Sequence, residues 1–140
     1  MEVLTISAST ADDKVYIRKF YTEYKIAIEY EEAQPLKPGI VPYDRSFSVI
    51  KKYCTDTFYQ LMINEQVNNS GYDYLTDNYG IDALSLETLE IVSLSSGYLV
   101  SCNVNYETPL GEKKIQVVKL KVTMLNGKIN NIEKYTALLE

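Results

Sequence analysis

From Tyr98 to Tyr106, apolar and polar residues alternate without a break. Tyr98, Val100, Cys102, Val104 and Tyr106 fall on one side; Leu99, Ser101, Asn103 and Asn105 fall on the other. A period of two with one apolar side marks a strand with one buried face and one wet face. The pattern extends over the last third of the chain. Leu86 to Leu94 reads as a strand, Ser95-Ser96-Gly97 as a turn, Tyr98 to Glu107 as a second strand and Thr108-Pro109-Leu110-Gly111 as a loop. Lys113 to Leu125 is a third strand whose phase changes. Ile115 and Val117 share one side, then Val118, Leu120, Val122 and Met124 share the other. A one-residue slip flips every later side chain, so this predicts a bulge near Val117-Val118. Asn126-Gly127 is a two-residue hairpin signal, and Lys128 to Tyr135 closes a four-stranded meander.

The earlier two thirds read as helix and loop. Ile17, Phe20, Tyr24, Ala27 and Ile28 recur at helical spacing and predict a long helix from Thr10 to Tyr30. Thr10 and Asp13 have the spacing of a capping box at its start. Lys14, Arg18, Lys25 and Glu29 lie off the apolar stripe, on the solvated side. Ala33 to Pro42 contains three prolines and a glycine and reads as a connecting loop. A second helix is predicted over Ser46 to Tyr53, with Phe47, Ile50 and Cys54 at core spacing. Thr55 is placed to cap a third helix that runs to Val67 through Phe58, Leu61, Met62 and Glu65. Gly71 to Asp82 is rich in aspartate and tyrosine and has little periodicity, with room for a short edge strand around Tyr72 to Leu75. The expected fold is α+β: three N-terminal helices packed on one face of a curved, bulged antiparallel sheet of about four strands, in one domain over residues 1–140.

The expected outer face carries Ser101, Asn103 and Asn105 beside Lys119, Lys121 and Thr123. A face that polar argues against a large apolar dimer interface through the middle of the sheet and leaves a wet homodimer open. The net charge is -5, with 14 basic against 19 acidic residues and no basic block, so nucleic acid is not an expected partner. No apolar run reaches the length of a transmembrane helix. The N-terminal residues lack the basic start and apolar core of a signal peptide.

The chain contains no histidine, which removes the commonest general base, the commonest metal ligand and every Ser-His or Cys-His arrangement. Cys54 and Cys102 have no CxxC spacing. They read as two buried thiols, with a disulfide between them as the alternative. Tyrosine occurs 13 times, which suits either a half-wet cavity or a core rim.

Helices followed by a long, bulged antiparallel sheet resemble the NTF2-like (cystatin-like, cone-shaped) superfamily. The resemblance rests on the stripe Phe20-Tyr24-Ala27-Ile28, the helix pair around Phe47-Ile50 and Phe58-Leu61-Met62, and the strands Tyr98 to Tyr106 and Val118 to Met124. The Phe-Tyr of the first helix, the segment Tyr72 to Leu75 and the run Val118 to Leu120 are also similar to an uncharacterised group of exported Bacteroidetes proteins, the DUF3828-like group. The resemblance implies a sheet curled around the long helix, with a cavity at the open end used for isomerases, dehydratases, ligand binding or docking. It also sets the expectation of a cell-envelope or periplasmic location with a leader removed. The isomerases pair a helix-one tyrosine with pocket aspartates. Here Tyr16, Tyr21 and Tyr24 supply the tyrosine, and no aspartate aligns with the second role.

Two readings stand for the candidate residues. Tyr24, Tyr98 and Tyr106, with Tyr74 and Asp73 from the acidic segment, could line a pocket for a small-molecule ligand; equally, the tyrosines could plug the rim of the core. An aspartate raised in pKa beside a tyrosine could move a proton next to a carbonyl. Asp73, Asp77 and Asp82 with Asn78 offer oxygens to a hard cation, but their spacing is not that of an EF-hand, and aspartates that cap turns account for them as well. Neither a metal nor a cofactor is expected. Lys113, Lys114, Lys119 and Lys121 either attract an anionic partner or keep the sheet surface soluble. The leading expectation is a non-catalytic ligand-binding or interaction module. The alternatives are an Asp/Tyr-dependent isomerase or lyase and a homodimeric interaction domain.

Overall fold

The structure, a computed structural model, describes residues 2–35, 44–68, 73, 75–77 and 79–136. The described residues form four helices and then four strands: α1 (Glu2–Ala33), α2 (Asp44–Tyr53), α3 (Asp56–Asn68), α4 (Ala83–Thr88), β1 (Glu90–Leu94), β2 (Gly97–Glu107), β3 (Lys113–Leu125) and β4 (Lys128–Lys134). The strands follow one another in an open antiparallel sheet of order β1-β2-β3-β4. This is the expected α+β architecture of helices followed by a sheet that does not close into a barrel.

The helical stripe of α1 is buried as its spacing requires. Ile17 and Phe20 are fully enclosed, and Tyr21, Tyr24 and Ala27 nearly so. Ile17, Phe20, Tyr21 and Tyr24 pack with Ile50, Tyr53 and Cys54 at the end of α2, with Phe58 and Met62 of α3, and with the inner sheet residues Val100, Val104, Val118, Leu120, Val122, Ile129 and Ile132. Each such aliphatic or aromatic side chain contributes about 1.5–3 kcal/mol by leaving water. Thr55 opens α3 as expected: its Oγ1 accepts the Phe58 N–H at 3.3 Å and donates to Asn130 Oδ1 at 2.9 Å.

Several expectations are corrected. The first helix starts at Glu2, so Thr10 and Asp13 lie inside it and form no capping box at its start. Asp13 instead accepts the Tyr98 hydroxyl at 2.9 Å. Leu86 belongs to α4, and the first strand begins only at Glu90. The reason is Asp82, whose carboxylate takes the Ser85 N–H at 2.9 Å while Ser85 Oγ takes the Asp82 N–H at 3.0 Å. That reciprocal cap nucleates a helical turn within an alternating sequence. Leu75 lies in a turn, so the described part of the Tyr72–Leu75 segment contains no strand; Tyr72 and Tyr74 lie outside the described residues. Leu61 is half exposed on the outer side of α3.

The bulge is real but sits elsewhere. β2 and β3 pair without a break from Tyr98↔Val122 to Glu107↔Lys113, so no slip occurs at Val117-Val118. The register shifts between Thr123 and Met124, where Asn131 faces Thr123 and Ile129 faces Met124. Asn130 is the extra residue, and it lets Ile129 and Ile132, three apart, both turn inward. Because β3 keeps its phase, Ile115 and Val117 lie on the outer face and are 62% and 52% exposed. That face is therefore less polar than expected. The Asn126-Gly127 turn forms with positive φ at both residues, 52° and 78°.

Candidate functional site

The structure brings two of the five candidate residues together. Tyr24, on the buried stripe of α1, donates its hydroxyl to Asp73 Oδ2 at 3.1 Å. The same oxygen accepts the Thr76 hydroxyl at 2.9 Å, and Oδ1 accepts the Leu75 N–H at 2.9 Å. Asp73 thus holds its own turn in an Asx-type loop and pins it to α1. One turn back along the helix, the Tyr21 hydroxyl donates to the Leu75 carbonyl at 2.8 Å and secures the same segment. Burial pushes the Asp73 carboxyl above its ordinary value, against the hydrogen bonds from Thr76, Leu75 and Tyr24 that work downward. Burial, with Asp73 nearby, raises Tyr21 and Tyr24 well above the ordinary tyrosine value, so both remain hydrogen-bond donors.

The other candidates lie apart. Tyr98 bonds to Asp13, and Tyr106 meets the Tyr79 ring edge-on at 5.8 Å. Tyr74 lies outside the described residues. The space among Tyr21, Leu75, Thr76, Val100, Cys102 and Leu120, between α1 and the sheet, is a cavity of about 10 Å³. That is room for about one water, against about 300–1,000 Å³ for a ligand pocket.

No described group of three or more Cys, Asp or Glu residues is placed to hold a metal. Asp77 faces Lys134 at 3.9 Å, Asp82 caps α4, and Asn78 lies outside the described residues. Cys54 and Cys102 are free thiols. Burial raises Cys54 to about 12 and Cys102 to about 11. Of the strand lysines, Lys114 faces Glu112 at 3.9 Å and Lys121 donates to Ser96 Oγ at 2.9 Å. No described helix is long and apolar enough to cross a membrane.

Three polar arrangements were not foreseen from the sequence. Arg18 donates to the Leu89 carbonyl at 2.7 Å and ties α1 to the start of β1. Glu23 accepts the Tyr53 hydroxyl and pairs with Lys52 at 3.1 Å; the Tyr53 bond, with Lys52 assisting, lowers its pKa. Glu31 Oε2 accepts the Ser46 N–H in the first turn of α2 at 2.7 Å, while its buried Oε1 has no partner among the described residues. The only sequence signal for them was position. Arg18, Glu23 and Glu31 flank the apolar stripe of α1, where long polar side chains reach over a neighbouring element.

Helices laid on an open antiparallel meander define the class of fold. The chain is similar to a protein of unknown function from Bacteroides thetaiotaomicron VPI-5482, at 14% identity and TM-score 0.58, over 94% of this chain and 98% of the other. It is also similar to the putative transfer protein TraH of the Gram-positive conjugative plasmid pIP501, at 20% identity and TM-score 0.53, over 93% and 96%. At these identities the likeness concerns the fold alone. No family model and no curated protein matches the chain.

Proposed function

We propose that this protein is a non-catalytic interaction module with an NTF2-like arrangement of helices on a meander sheet, acting through its surface. The observation that carries this reading is the small size of the cavity between α1 and the sheet among the described residues, about 10 Å³. The polar groups beside it are engaged in holding the 73–77 turn, since the Asp73 carboxylate receives Leu75, Thr76 and Tyr24. Native mass spectrometry after incubation with a pooled metabolite library tests the reading. The expected spectrum shows the unliganded chain mass. A retained small molecule whose binding is lost in Val100→Trp, which fills the same space, would overturn it.

A second reading is favoured by the Tyr24–Asp73 pair, a carboxyl of raised pKa 3.1 Å from a tyrosine hydroxyl. Such a pair suits an isomerase or lyase that moves a proton next to a carbonyl. Deuterium exchange into a panel of small cyclic enones would reveal it, provided that Asp73→Asn abolishes the exchange.

A further inference from the structure

Parts of the exposed flank of this sheet are guarded. Along β2, beyond the end of β1, the Asn103 N–H is taken by Thr88 Oγ1 at 2.8 Å and the Asn105 N–H by Asp82 Oδ2 at 3.2 Å. On β4, the Ile129 carbonyl accepts the Thr55 N–H at 2.8 Å, and a parallel bridge joins Cys54 to Ile129. These contacts are the usual devices that stop an edge from pairing with another chain.

β1 has no such guard over most of its length. Leu94 and Gly97 flank a two-residue turn, so Glu90, Val92 and Leu94 direct their backbone groups to β2, and the alternate residues Leu89, Ile91 and Ser93 direct theirs outward. The Arg18 guanidinium on the Leu89 carbonyl confirms that orientation. No described residue hydrogen-bonds the outward N–H and C=O groups of Ile91 and Ser93. The strand also contains no lysine, proline or bulge to discourage pairing.

Beside this edge lies an open groove of about 560 Å³ between α1 and β1. Its apolar surface comes from Ile91 and from Val15, which is 60% exposed on the helix. Its charge comes from Lys14, Arg18 and Lys19. The single acid among the described lining residues, Glu23, is already engaged by Tyr53 and Lys52. A cationic groove alongside a free strand edge, in a chain of net charge -5, selects its occupant by charge.

We propose that the β1 edge and the α1 groove form a docking site for an extended acidic peptide, which adds to the sheet as a strand beside β1. Main-chain bonds to Ile91 and Ser93 supply the pairing. Carboxylates on alternate residues meet Lys14 and Lys19, and an apolar side chain covers Val15. The proposal rests on the interaction-module reading and names the partner for it.

The test uses the full chain and a fluorescein-labelled eight-residue peptide of alternating glutamate and valine, with a lysine-for-glutamate copy as its control. Fluorescence anisotropy is expected to show saturable binding of the acidic peptide alone, weakening as salt rises. The double variant Lys14→Glu/Lys19→Glu should raise Kd about tenfold or more, a change of ~1.4 kcal/mol. Ser93→Pro removes one outward donor without breaking the β2 ladder and should raise Kd comparably. Hydrogen exchange at the Ile91 and Ser93 amides should slow when the peptide is bound. The proposal is overturned by equal binding of the lysine peptide, by binding that leaves those two amides unprotected, by a dimer formed through this edge in light scattering, or by no binding up to about 1 mM. Any of these leaves the module reading intact, whereas a metabolite retained in the interior would remove that reading whatever the peptide does.

Discussion

The carboxylate of Asp82 reaches β2 and accepts both the backbone N–H of Asn105 at 3.2 Å and its side-chain amide at 3.3 Å. The same side chain caps α4 through Ser85. One aspartate therefore ends a loop, starts a helix and closes a stretch of sheet edge. Asp82→Ala is expected to cost about 1–2 kcal/mol, the upper range for losing a helix cap. Asp82→Asn, which retains an acceptor for Ser85, should cost less. Urea midpoints at unchanged m-value would show the order.

Two aspartates should give opposite pH signatures. Burial alone would raise Asp82, but hydrogen bonds from Ser85 and Asn105 outweigh it and hold the carboxyl below its ordinary value of 3.8. Its contribution is present above that value and is lost as pH falls through the depressed one. Asp73 is raised, chiefly by burial. Its contribution is fully present below 3.8 and is lost as pH rises through the raised value. Stability profiles of Asp82→Asn and Asp73→Asn, each subtracted from the parent, should slope in opposite directions across the acid range.

Two of the hairpin glycines, Gly97 and Gly127, should differ sharply. A Cβ on Gly97, at φ +141°, would lie 2.6 Å from the Val122 carbonyl oxygen, which belongs to the β3 backbone and has little room to move. Gly97→Ala is expected to cost about 1–3 kcal/mol. Gly127, at φ +78°, has open space around it. Gly127→Asn should cost a fraction of that, because asparagine tolerates the left-handed region. Thermal melts of the two variants would separate the cases.

Both thiols should be inert in the folded protein. Thiolate is the reactive form, and burial places Cys54 at about 12 and Cys102 at about 11. A disulfide-exchange reagent at pH 8 should report almost no fast thiol in buffer and two in denaturant.

Tyr21→Phe removes the bond to the Leu75 carbonyl and leaves a buried acceptor unpaired. The expected cost is about 1–3 kcal/mol. Faster exchange of amides in the 75–77 turn would distinguish local loosening from general loss of stability.

How much was legible depends on whether a feature is local. The α1 stripe, the β2 alternation and the Asn126-Gly127 turn are repeated or short-range patterns, and each lies where its pattern places it. The bulge predicted at Val117-Val118 is absent because Ile115 and Val117 belong to the outer face of a β3 that pairs there without a break. They are exposed, and the true sign was Ile129 and Ile132, two buried residues three apart on one strand. The Tyr24–Asp73 bond joins residues 49 positions apart, and no local rule specifies which aspartate a helix tyrosine meets.

Taken by itself, the amino-acid sequence determined the order of the three longer helices and the four strands, the inward face of α1 and β2, and the absence of histidine chemistry, because periodicity and composition act over a few neighbours. Only the tertiary structure decided that the described cavity between α1 and the sheet holds only about 10 Å³, that Asp82 guards one stretch of edge while β1 stays open, and that Lys14, Arg18 and Lys19 border that opening. Those outcomes depend on how distant segments share volume and hydrogen bonds, and the chain settles that only once it is packed.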